Sequence, residues 1–515
     1  MSRSLPRFGA SVVGFAGLSL SAAAQLVFLT PSALPTGPDA SAAQVGDLDG
    51  DDVPDVVVMD WYSQSAPKMR VFLGLGDGSF TPVVLDVGLG AGFIRLADTN
   101  ADGFLDLVAS DTDIAPFFGV LPGDGAGGFL PYIGSDAGYF PGPFELARLD
   151  ADDDLDAVVH TLGSPEELRV MMGDGAGGFV AQQSLTLKDP VMAQRNALAF
   201  GDFDENGWLD LAIGDDAGVA IYRGLGDGWL DSTPLIVPST AIIWRIVVAD
   251  FNGDSHQDLA LSVLDWHTGY ASILVLRGHG DGSFAEPDLL PLGGWFSGIA
   301  TADLDGDGDL DLLATQADDP HPNWVIAFVN AGDGTFMPGL KLSSAIDPAG
   351  TTSSTDPLLA DLDADTRPDL VLSVPWFPSG SLLVALDRSY LPGSPFTDLG
   401  GALEGASGWP ILVAEGNLAA TAKSTLSLWN GLGGAPLFAV AGSTAVFAPF
   451  CGGTLVPAPN VVAVLGDTVA DGPTELAFRA PPGVSGLSLV VQFWLADPAA
   501  TQGFAATTGV RMQFP

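Results

Sequence analysis

The hydrophobic residues of this chain fall in short runs of β-branched and aromatic side chains, each bounded by Gly, Pro or Asp. Residues 93–97, 105–109, 117–121 and 129–133 are four consecutive runs of this kind. Such runs between turn residues predict β-strands. The first 390 residues show no 3.6-residue period long enough for a core helix, so the pattern predicts an all-β fold.

An acidic nine-residue stretch recurs seven times and sets the period of the chain. Its fullest form, residues 303–311, has acids at positions 1, 3, 5 and 9 and Gly at position 6. The first positions are Asp47, Asp98, Arg148, Asp202, Asp250, Asp303 and Asp361, spaced 48 to 58 residues apart. A Gly-Asp-Gly turn followed by an aromatic residue comes after most of these stretches. Units of about 50 residues with four strands each predict a seven-bladed β-propeller.

The two ends of the repeat region predict how the ring closes. The seventh unit has no Gly-Asp-Gly turn and no clear fourth strand, whereas residues 25–30 contain a strand-like run with Phe28. We therefore expect the N-terminal strand to complete the last blade, which removes open sheet edges. The propeller is predicted over residues 25–390. Beyond it, strand-like runs such as 487–495 predict a small C-terminal β domain of unknown role at 391–515, with a flexible tail as the alternative.

The N-terminus and the overall composition predict an exported protein. Residues 1–24 have a basic start, an apolar run over 8–20 and Ala22–Ala24 as a cleavage site, which is the pattern of a secretory signal peptide. The apolar run is short for a spanning helix, so a retained anchor is the weaker alternative and the mature chain is expected to have no transmembrane segment. A formal charge of -45 argues against nucleic acid as a partner. The single cysteine, Cys451, excludes an intramolecular disulfide framework.

The acidic stretches have the chemistry of a calcium loop. Ca²⁺ accepts six to eight oxygen ligands, and side chains at alternate positions of a tight loop can supply them. An EF-hand would need a bidentate Glu at position 12. The residues there are Val58, Ala109, Ile213, Leu261, Ala314 and Leu372, all within strand patterns. The remaining alternative is that Asp and Gly only mark turns.

The paired motifs resemble the FG-GAP/VCBS repeats of integrin α-subunit N-terminal propellers and of secreted bacterial proteins. The resemblance covers about residues 25–390. It implies about six structural Ca²⁺ ions, each bound by side chains at positions 1, 3, 5 and 9 and by the main-chain carbonyl of position 7. The ligands it implies are Asp47, Asp49, Asp51 and Asp55; Asp98, Asn100, Asp102 and Asp106; Asp202, Asp204, Asn206 and Asp210; Asp250, Asn252, Asp254 and Asp258; Asp303, Asp305, Asp307 and Asp311; and Asp361, Asp363, Asp365 and Asp369.

The third loop departs from this pattern because Arg148 stands at position 1. We expect its guanidinium to pair with Asp150, Asp152 and Asp156 and to replace the metal. Three other loops lack Gly at position 6. Asp52, Ser255 and Thr366 stand there, and weaker calcium sites are expected because Gly normally makes that sharp turn.

Strand geometry predicts a second surface at the opposite end of the propeller. The acidic loops and Gly-Asp-Gly turns should share one end, and the second turns and blade-to-blade links should share the other. The aromatic and histidine residues expected at that other end are Trp61, Tyr62, Trp266, His267, Tyr270, Trp324 and Trp376. Exposed rings suit sugar faces or protein partners, and the alternative is that they pack between blades.

The sequence contains no motif that identifies an enzyme. The matches to Gly-x-Gly-x-x-Gly at 123–128 and 173–178 lie in predicted hairpins without a following helix. The leading prediction, implied by the family resemblance, is binding or adhesion to an extracellular glycan or protein. A lyase-like polysaccharide enzyme and a purely structural surface component remain open.

Overall fold

The computed structural model describes residues 32–36, 40–60, 69–85, 87, 91–111, 117–187, 197–215, 218–239, 241–265, 269–292, 298–318, 321–337, 340–347, 356–374 and 381–387, followed by the strands from residue 396 onward. These residues form strands and turns. No helix among them has the length and apolar character needed to cross a membrane. The predicted signal peptide at 1–24 lies outside this part of the chain.

Seven antiparallel four-stranded sheets form the propeller, and each is one blade. Blades 1 to 3 are β2 (Ala40–Gly46), β3 (Asp55–Asp60), β4 (Met69–Gly74) and β5 (Phe80–Leu85); β6 (Phe93–Ala97), β7 (Asp106–Asp111), β8 (Phe117–Leu121) and β9 (Ile133–Ser135); and β10 (Pro141–Ala147), β11 (Asp156–Thr161), β12 (Glu167–Gly173) and β13 (Phe179–Thr186). Blades 4 and 5 are β14 (Leu198–Gly201), β15 (Asp210–Asp215), β16 (Gly218–Tyr222) and β17 (Leu235–Pro238); and β18 (Ile242–Ala249), β19 (Asp258–Asp265), β20 (Tyr270–Leu276) and β21 (Asp288–Pro291). Blade 6 is β22 (Ile299–Ala302), β23 (Asp311–Asp318), β24 (His321–Phe328) and β25 (Leu340–Asp347), and blade 7 is β26 (Leu358–Ala360), β27 (Asp369–Val374), β28 (Ser381–Ala385) and β1 (Ser32–Pro35).

The ring is closed, as the sequence predicts. The first strand of each blade contacts the first strand of the next, in the order β2, β6, β10, β14, β18, β22, β26 and back to β2. The N-terminal strand β1 pairs with β28 and completes blade 7, with Ser32 opposite Val384. The closing strand is therefore Ser32–Pro35; the expected run at 25–30, with Phe28, lies outside the described residues.

The hydrophobic core lies between neighbouring blades. Val57 and Met59 of blade 1, for example, pack with Ile94 and Leu107 of blade 2. The second strands are buried on both faces, and every residue of β11 is buried. This explains why they read in the sequence as continuous apolar runs. Each fully buried aliphatic side chain contributes about 1.5–3 kcal/mol of hydrophobic stabilisation.

Most of the predicted strands of blade 2 are observed, with one error. Strands Phe93–Ala97 and Phe117–Leu121 match the expected bounds, and Asp106–Asp111 begins one residue after the expected start. The fourth strand, expected at 129–133, is instead Ile133–Ser135. The reason is that Phe129 forms an isolated bridge with Gly123 across the Gly-Asp-Gly turn, so it belongs to the turn.

Two arginine–carboxylate pairs connect different blades at or beside their first strands. Arg95 pairs with Glu145 of the next blade. Arg245 Nε lies 2.5 Å from Oδ1 of Asp356, which connects blade 5 to blade 7 across blade 6. Burial alone would lower the pKa of Arg95, but Glu145 and the nearby Asp356 outweigh it and raise that pKa. The two pairs therefore belong to one charged cluster.

The strands after the propeller pair among themselves. They are β29 (Phe396–Asp398), β30 (Ile411–Gly416), β31 (Lys423–Trp429), β32 (Pro436–Gly442), β33 (Ala445–Phe450), β34 (Gly453–Pro457), β35 (Val461–Asp467), β36 (Thr474–Arg479), β37 (Ser488–Ala496), β38 (Phe504–Ala506) and β39 (Val510–Gln513). They form sheets in the orders β29-β39-β37-β32-β35, with β38 beside β37, β30-β31-β36 and β33-β34. Phe493 and Trp494 of β37 are buried. The boundary at residue 390 remains a prediction.

Candidate calcium loops and the opposite end

Each acidic loop connects the first and second strands of its blade, and the carboxylate at position 1 folds it. In the first loop Asp47 Oδ1 accepts the N–H of Gly50 at 2.7 Å, and Oδ2 accepts the N–H of Asp52 at 2.9 Å. The bond from position 6 to position 1 recurs in the other five intact loops, from Gly103 to Asp98, Gly207 to Asp202, Ser255 to Asp250, Gly308 to Asp303 and Thr366 to Asp361. The loop is thus wound around its first carboxylate.

This winding requires left-handed backbone at positions 4 and 6. At position 6 the φ angles of Asp52, Ser255 and Thr366 are 65°, 71° and 71°, in the same left-handed region as the glycines of the other intact loops, whose φ angles are 88° to 97°. A side chain in this conformation costs of order 1–3 kcal/mol, whereas Gly adopts it freely. The three departures from Gly therefore keep the loop shape and carry strain.

The aspartate at position 9 is a buried brace. Asp311 Oδ2 accepts the N–H of Leu304 at 2.9 Å, and Oδ1 accepts the N–H of Asn330 at 2.8 Å. The other six blades have the same pair of bonds, one from position 2 and one from a residue at the end of the third strand or two residues beyond it. The acceptors are Asp55, Asp106, Asp156, Asp210, Asp258 and Asp369. Position 9 therefore ties the loop to the third strand in all seven blades.

Burial and repulsion between neighbouring carboxylates raise the pKa of several of these aspartates. Burial raises the pKa of Asp311 and of Asp369 to about 7, although two backbone N–H groups lower it. Burial and then the charge of Asp307 raise the pKa of Asp305 to about 6. A bound cation would offset both the lost hydration and the repulsion.

Carboxylate oxygens converge in four of the six intact loops. Positions 1, 3 and 9 come within 4.8 Å of one another in the loops that begin at Asp47, Asp202 and Asp303. In the seventh loop positions 1, 3 and 5 converge instead, as Asp361, Asp363 and Asp365. The second and fifth loops have Asn100 and Asn252 at position 3, so an amide oxygen stands where the third carboxylate would be.

The residues present fit a hard cation. Asp49 Oδ1 is buried and has no hydrogen-bond partner, which leaves a carboxylate oxygen available in the first loop. The carboxylates at position 5 already accept a hydrogen bond within the loop. Asp51, Asp102 and Asp307 each accept the N–H of position 7. Arg223 Nε lies 2.6 Å from Asp204 Oδ2, and Arg367 pairs with Asp365.

The third loop has a different conformation. Ala151 and Asp153, at positions 4 and 6, have no positive φ, and the loop's carboxylates form no converging trio. Arg148 Nε donates to the main-chain carbonyl of Asp153 at 2.9 Å instead of pairing with Asp150, Asp152 and Asp156, so the expected pairing is wrong. Without an acceptor at position 1, nothing winds the loop.

The Gly-Asp-Gly turns lie against the acidic loops, as expected for a shared end. A glycine N–H of each turn donates to the position-2 carbonyl of the preceding blade, from Gly78 to Leu362, Gly127 to Leu48, Gly228 to Leu149 and Gly282 to Phe203, at 2.8 to 3.1 Å. The rings of Phe203 and Phe284 add an edge contact, with centroids 5.6 Å apart. These four acidic loops are therefore packed against the turn of the next blade.

The predicted aromatic face is only partly described. Tyr270 is 61% exposed, and Trp324 lies in β24 with its side chain outside the description. Trp61, Tyr62, Trp266, His267 and Trp376 lie outside the described residues. Sequence reasoning missed Tyr139 and Phe140, in the link between β9 and β10, which are 81% and 45% exposed. Two adjacent aromatic residues in a blade-to-blade link are a signal that could have identified them.

Comparisons with known proteins agree with the repeats. The model of the FG-GAP-like repeat matches residues 202–261 and 262–314. No curated protein is significantly similar in sequence. A solved Agrocybe aegerita lectin structure, described as recognising non-reducing terminal N-acetylglucosamine, is 17% identical, with 68% of this chain and 86% of that chain covered and a TM-score of 0.45.

Two further solved structures are more distant. The Photorhabdus luminescens Tc holotoxin pore is 15% identical over 91% of this chain and 20% of that chain, with a TM-score of 0.35. The V. cholerae biofilm matrix protein Bap1 is 13% identical over 97% of this chain and 68% of that chain, with a TM-score of 0.32. These similarities are too distant to transfer a ligand.

Proposed function

We propose that this FG-GAP repeat β-propeller is an extracellular binding or adhesion module, built on about six structural Ca²⁺ ions, that recognises a glycan. One observation carries the calcium assignment. Carboxylates at fixed positions converge in four loops, and one of their buried oxygens, Asp49 Oδ1, has no partner. Oxygen-only sites of this kind suit Ca²⁺, which tolerates irregular geometry, better than Mg²⁺.

Each ion would be held by the side chains at positions 1, 3, 5 and 9 and by the carbonyl of position 7. When bound, calcium supplies charge neutralisation. The chain's own residues do the rest: position 1 winds the loop and position 9 ties it to the third strand. Calcium would thus stabilise the blade ends without taking part in a reaction.

The composition of the loops supports an extracellular setting. Asn at position 3 or 5 lowers the negative charge of three loops. In three loops a residue other than Gly stands at position 6 in a strained conformation. Both features weaken binding, and extracellular calcium modules work at about 10⁻⁴–10⁻³ M. The signal-like N-terminus, residues 1–24, supports the same location.

Exposed rings at the opposite end support a glycan as the ligand. Tyr139, Phe140 and Tyr270 are exposed there, in a blade link and at the start of a third strand. Flat rings with polar groups beside them suit the apolar faces of sugars. A protein partner would need roughly 800 Å² of complementary surface on each side.

The experiment is binding of the full-length protein to an array of neutral oligosaccharides, with Ca²⁺ and with chelator, beside a thermal melt in both conditions. We expect binding with Ca²⁺, and a weaker signal and a lower melting temperature with chelator. Binding to no glycan, with a melt that still drops on chelation, would contradict the ligand and keep the calcium scaffold. A melt unchanged by chelator would contradict the calcium assignment.

A further inference from the structure

We propose that the link between β9 and β10 is a saccharide-binding site, with Tyr139 and Phe140 as the stacking surface and the Arg169–Glu167 pair as hydrogen-bonding partners. The class of ligand rests on the proposed function; the location rests on this corner of blade 3. It is distinct from the acidic loops, which lie at the other end of the blades.

The first observation is exposure. Tyr139 is 81% exposed, more than any other large hydrophobic side chain among the described residues, and the adjacent Phe140 is 45% exposed. Rings left in water contribute little to folding, since hydrophobic stabilisation follows the area that is buried. Two neighbouring exposed rings therefore have no evident structural purpose.

The second observation is backbone strain at the same place. Phe140 has a φ of 53°, in the left-handed region that bulky residues rarely adopt. The Phe140 carbonyl accepts the N–H of Leu162 at 2.9 Å, and Asp136 Oδ1 accepts the N–H of Gly138 at 3.0 Å. These bonds hold the link in its conformation on both sides of Tyr139. Strain of order 1–3 kcal/mol that is held in this way is typical of ligand-binding positions.

The third observation is a partly exposed charged pair that lies against the link at Gly138. Arg169 Nη2 lies 3.1 Å from Glu167 Oε2. A Cβ added to Gly138 would lie 2.9 Å from the Arg169 guanidinium, so the glycine lets the link rest on this side chain. The Arg169 guanidinium, paired with Glu167, therefore lies against the residue that precedes Tyr139.

These features together favour a neutral saccharide. Sugar hydroxyls both donate and accept, which matches a guanidinium beside a carboxylate, and the apolar ring face matches an aromatic platform. The pair has no net charge, and Asp136 adds a negative one, so an anionic sugar is disfavoured.

The test uses the full-length protein in saturating Ca²⁺ and an immobilised panel of chito-, cello-, manno- and galacto-oligosaccharides. Tyr139→Ala should weaken binding about tenfold, as expected for loss of one stacking contact. Phe140→Gly should also weaken binding while raising the melting temperature, because Gly relieves the strain. Val180→Ala, at an exposed position on the outer strand of the same blade, is the matched control and should change neither quantity.

The outcomes separate the location from the ligand class. Oligosaccharide binding that survives both Tyr139→Ala and Phe140→Gly would place the sugar elsewhere and overturn this site, while the proposed function stands. Binding to none of the panel, with the calcium-dependent melt intact, would overturn the saccharide itself. Phe140→Gly also excludes unfolding as the cause of lost binding, because the variant is expected to be more stable than the native protein.

Discussion

At the scale of single residues, position 9 explains why the loop pattern persists in blade 3, where the loop's carboxylates do not converge. Asp156 accepts N–H bonds from Leu149 and Gly173, as its counterparts do, although Arg148 replaces the first acid. The brace is structural, whereas position 1 determines the winding that brings ligands together. One motif thus serves two purposes: it braces the loop, and it gathers the oxygens that we propose bind calcium.

Thr366 offers a test of that winding. It is β-branched and has a φ of 71°, so Thr366→Gly should relieve strain and stabilise the calcium-loaded protein by about 1 kcal/mol. Chemical denaturation measures the change. The control is Thr335→Gly, at a position where φ is not positive. This change should destabilise the protein, because the Thr335 hydroxyl donates to Asp333 at 2.5 Å and that hydrogen bond would be lost. Equal effects of the two substitutions would show that loop strain is absent.

His160 predicts a pH dependence that is independent of the metal. Burial lowers its pKa from 6.5 to about 4, and its Nε2 lies 3.2 Å from Glu166 Oε2. Between those values the unfolded chain binds a proton that the folded chain does not. The contribution of His160 to stability is therefore complete above pH 6.5 and is lost as the pH falls towards 4.

The measurement is the free energy of unfolding across this pH range for the native protein and for His160→Gln. The variant should lose less stability on acidification than the native chain. Leu289→Ala, at an exposed position without a titratable group, is the control and should follow the native curve. Parallel curves for the native protein and His160→Gln would contradict the assignment.

At the scale of elements, the unit of the fold is an acidic loop together with the Gly-Asp-Gly turn of the next blade. Phe284→Ala would remove the ring that packs on Phe203, and we expect it to destabilise the protein by about 2–3 kcal/mol. It should also weaken calcium binding in the loop of Phe203. Leu289→Ala, on the exposed face of the same blade, should do neither. A calcium titration followed by thermal melting compares the two variants. Equal stability and equal calcium dependence of Phe284→Ala and Leu289→Ala would contradict coupling between loop and turn.

The blades and loops could be predicted because their signals are local. Acids at alternate positions and a Gly-Asp-Gly turn each lie within a few residues, and their spacing sets the strand lengths. Features set by tertiary contacts could not. Phe129 belongs to a turn because it bridges to Gly123. The conformation of Phe140 depends on a hydrogen bond from Leu162. Arg245 pairs with Asp356, which is 111 residues away in the sequence.

At the scale of the whole molecule, one charged pair joins two segments that are far apart in the sequence. The Arg245–Asp356 pair is partly buried and joins two non-adjacent blades. A double-mutant cycle with Arg245→Gln and Asp356→Asn should give a coupling energy of about 1 kcal/mol or more, because the pair is only partly screened by water. A coupling near zero would show that the Arg245–Asp356 pair does not hold these blades together.

The most direct test of the calcium assignment is the number of calcium ions retained by the folded full-length protein, counted by native mass spectrometry before and after chelation. About six are expected for the native chain, one for each loop with Asp at position 1. Arg148→Asp should add one more, because it restores the acceptor that winds the third loop. Retention of no calcium by a folded protein would contradict the central claim.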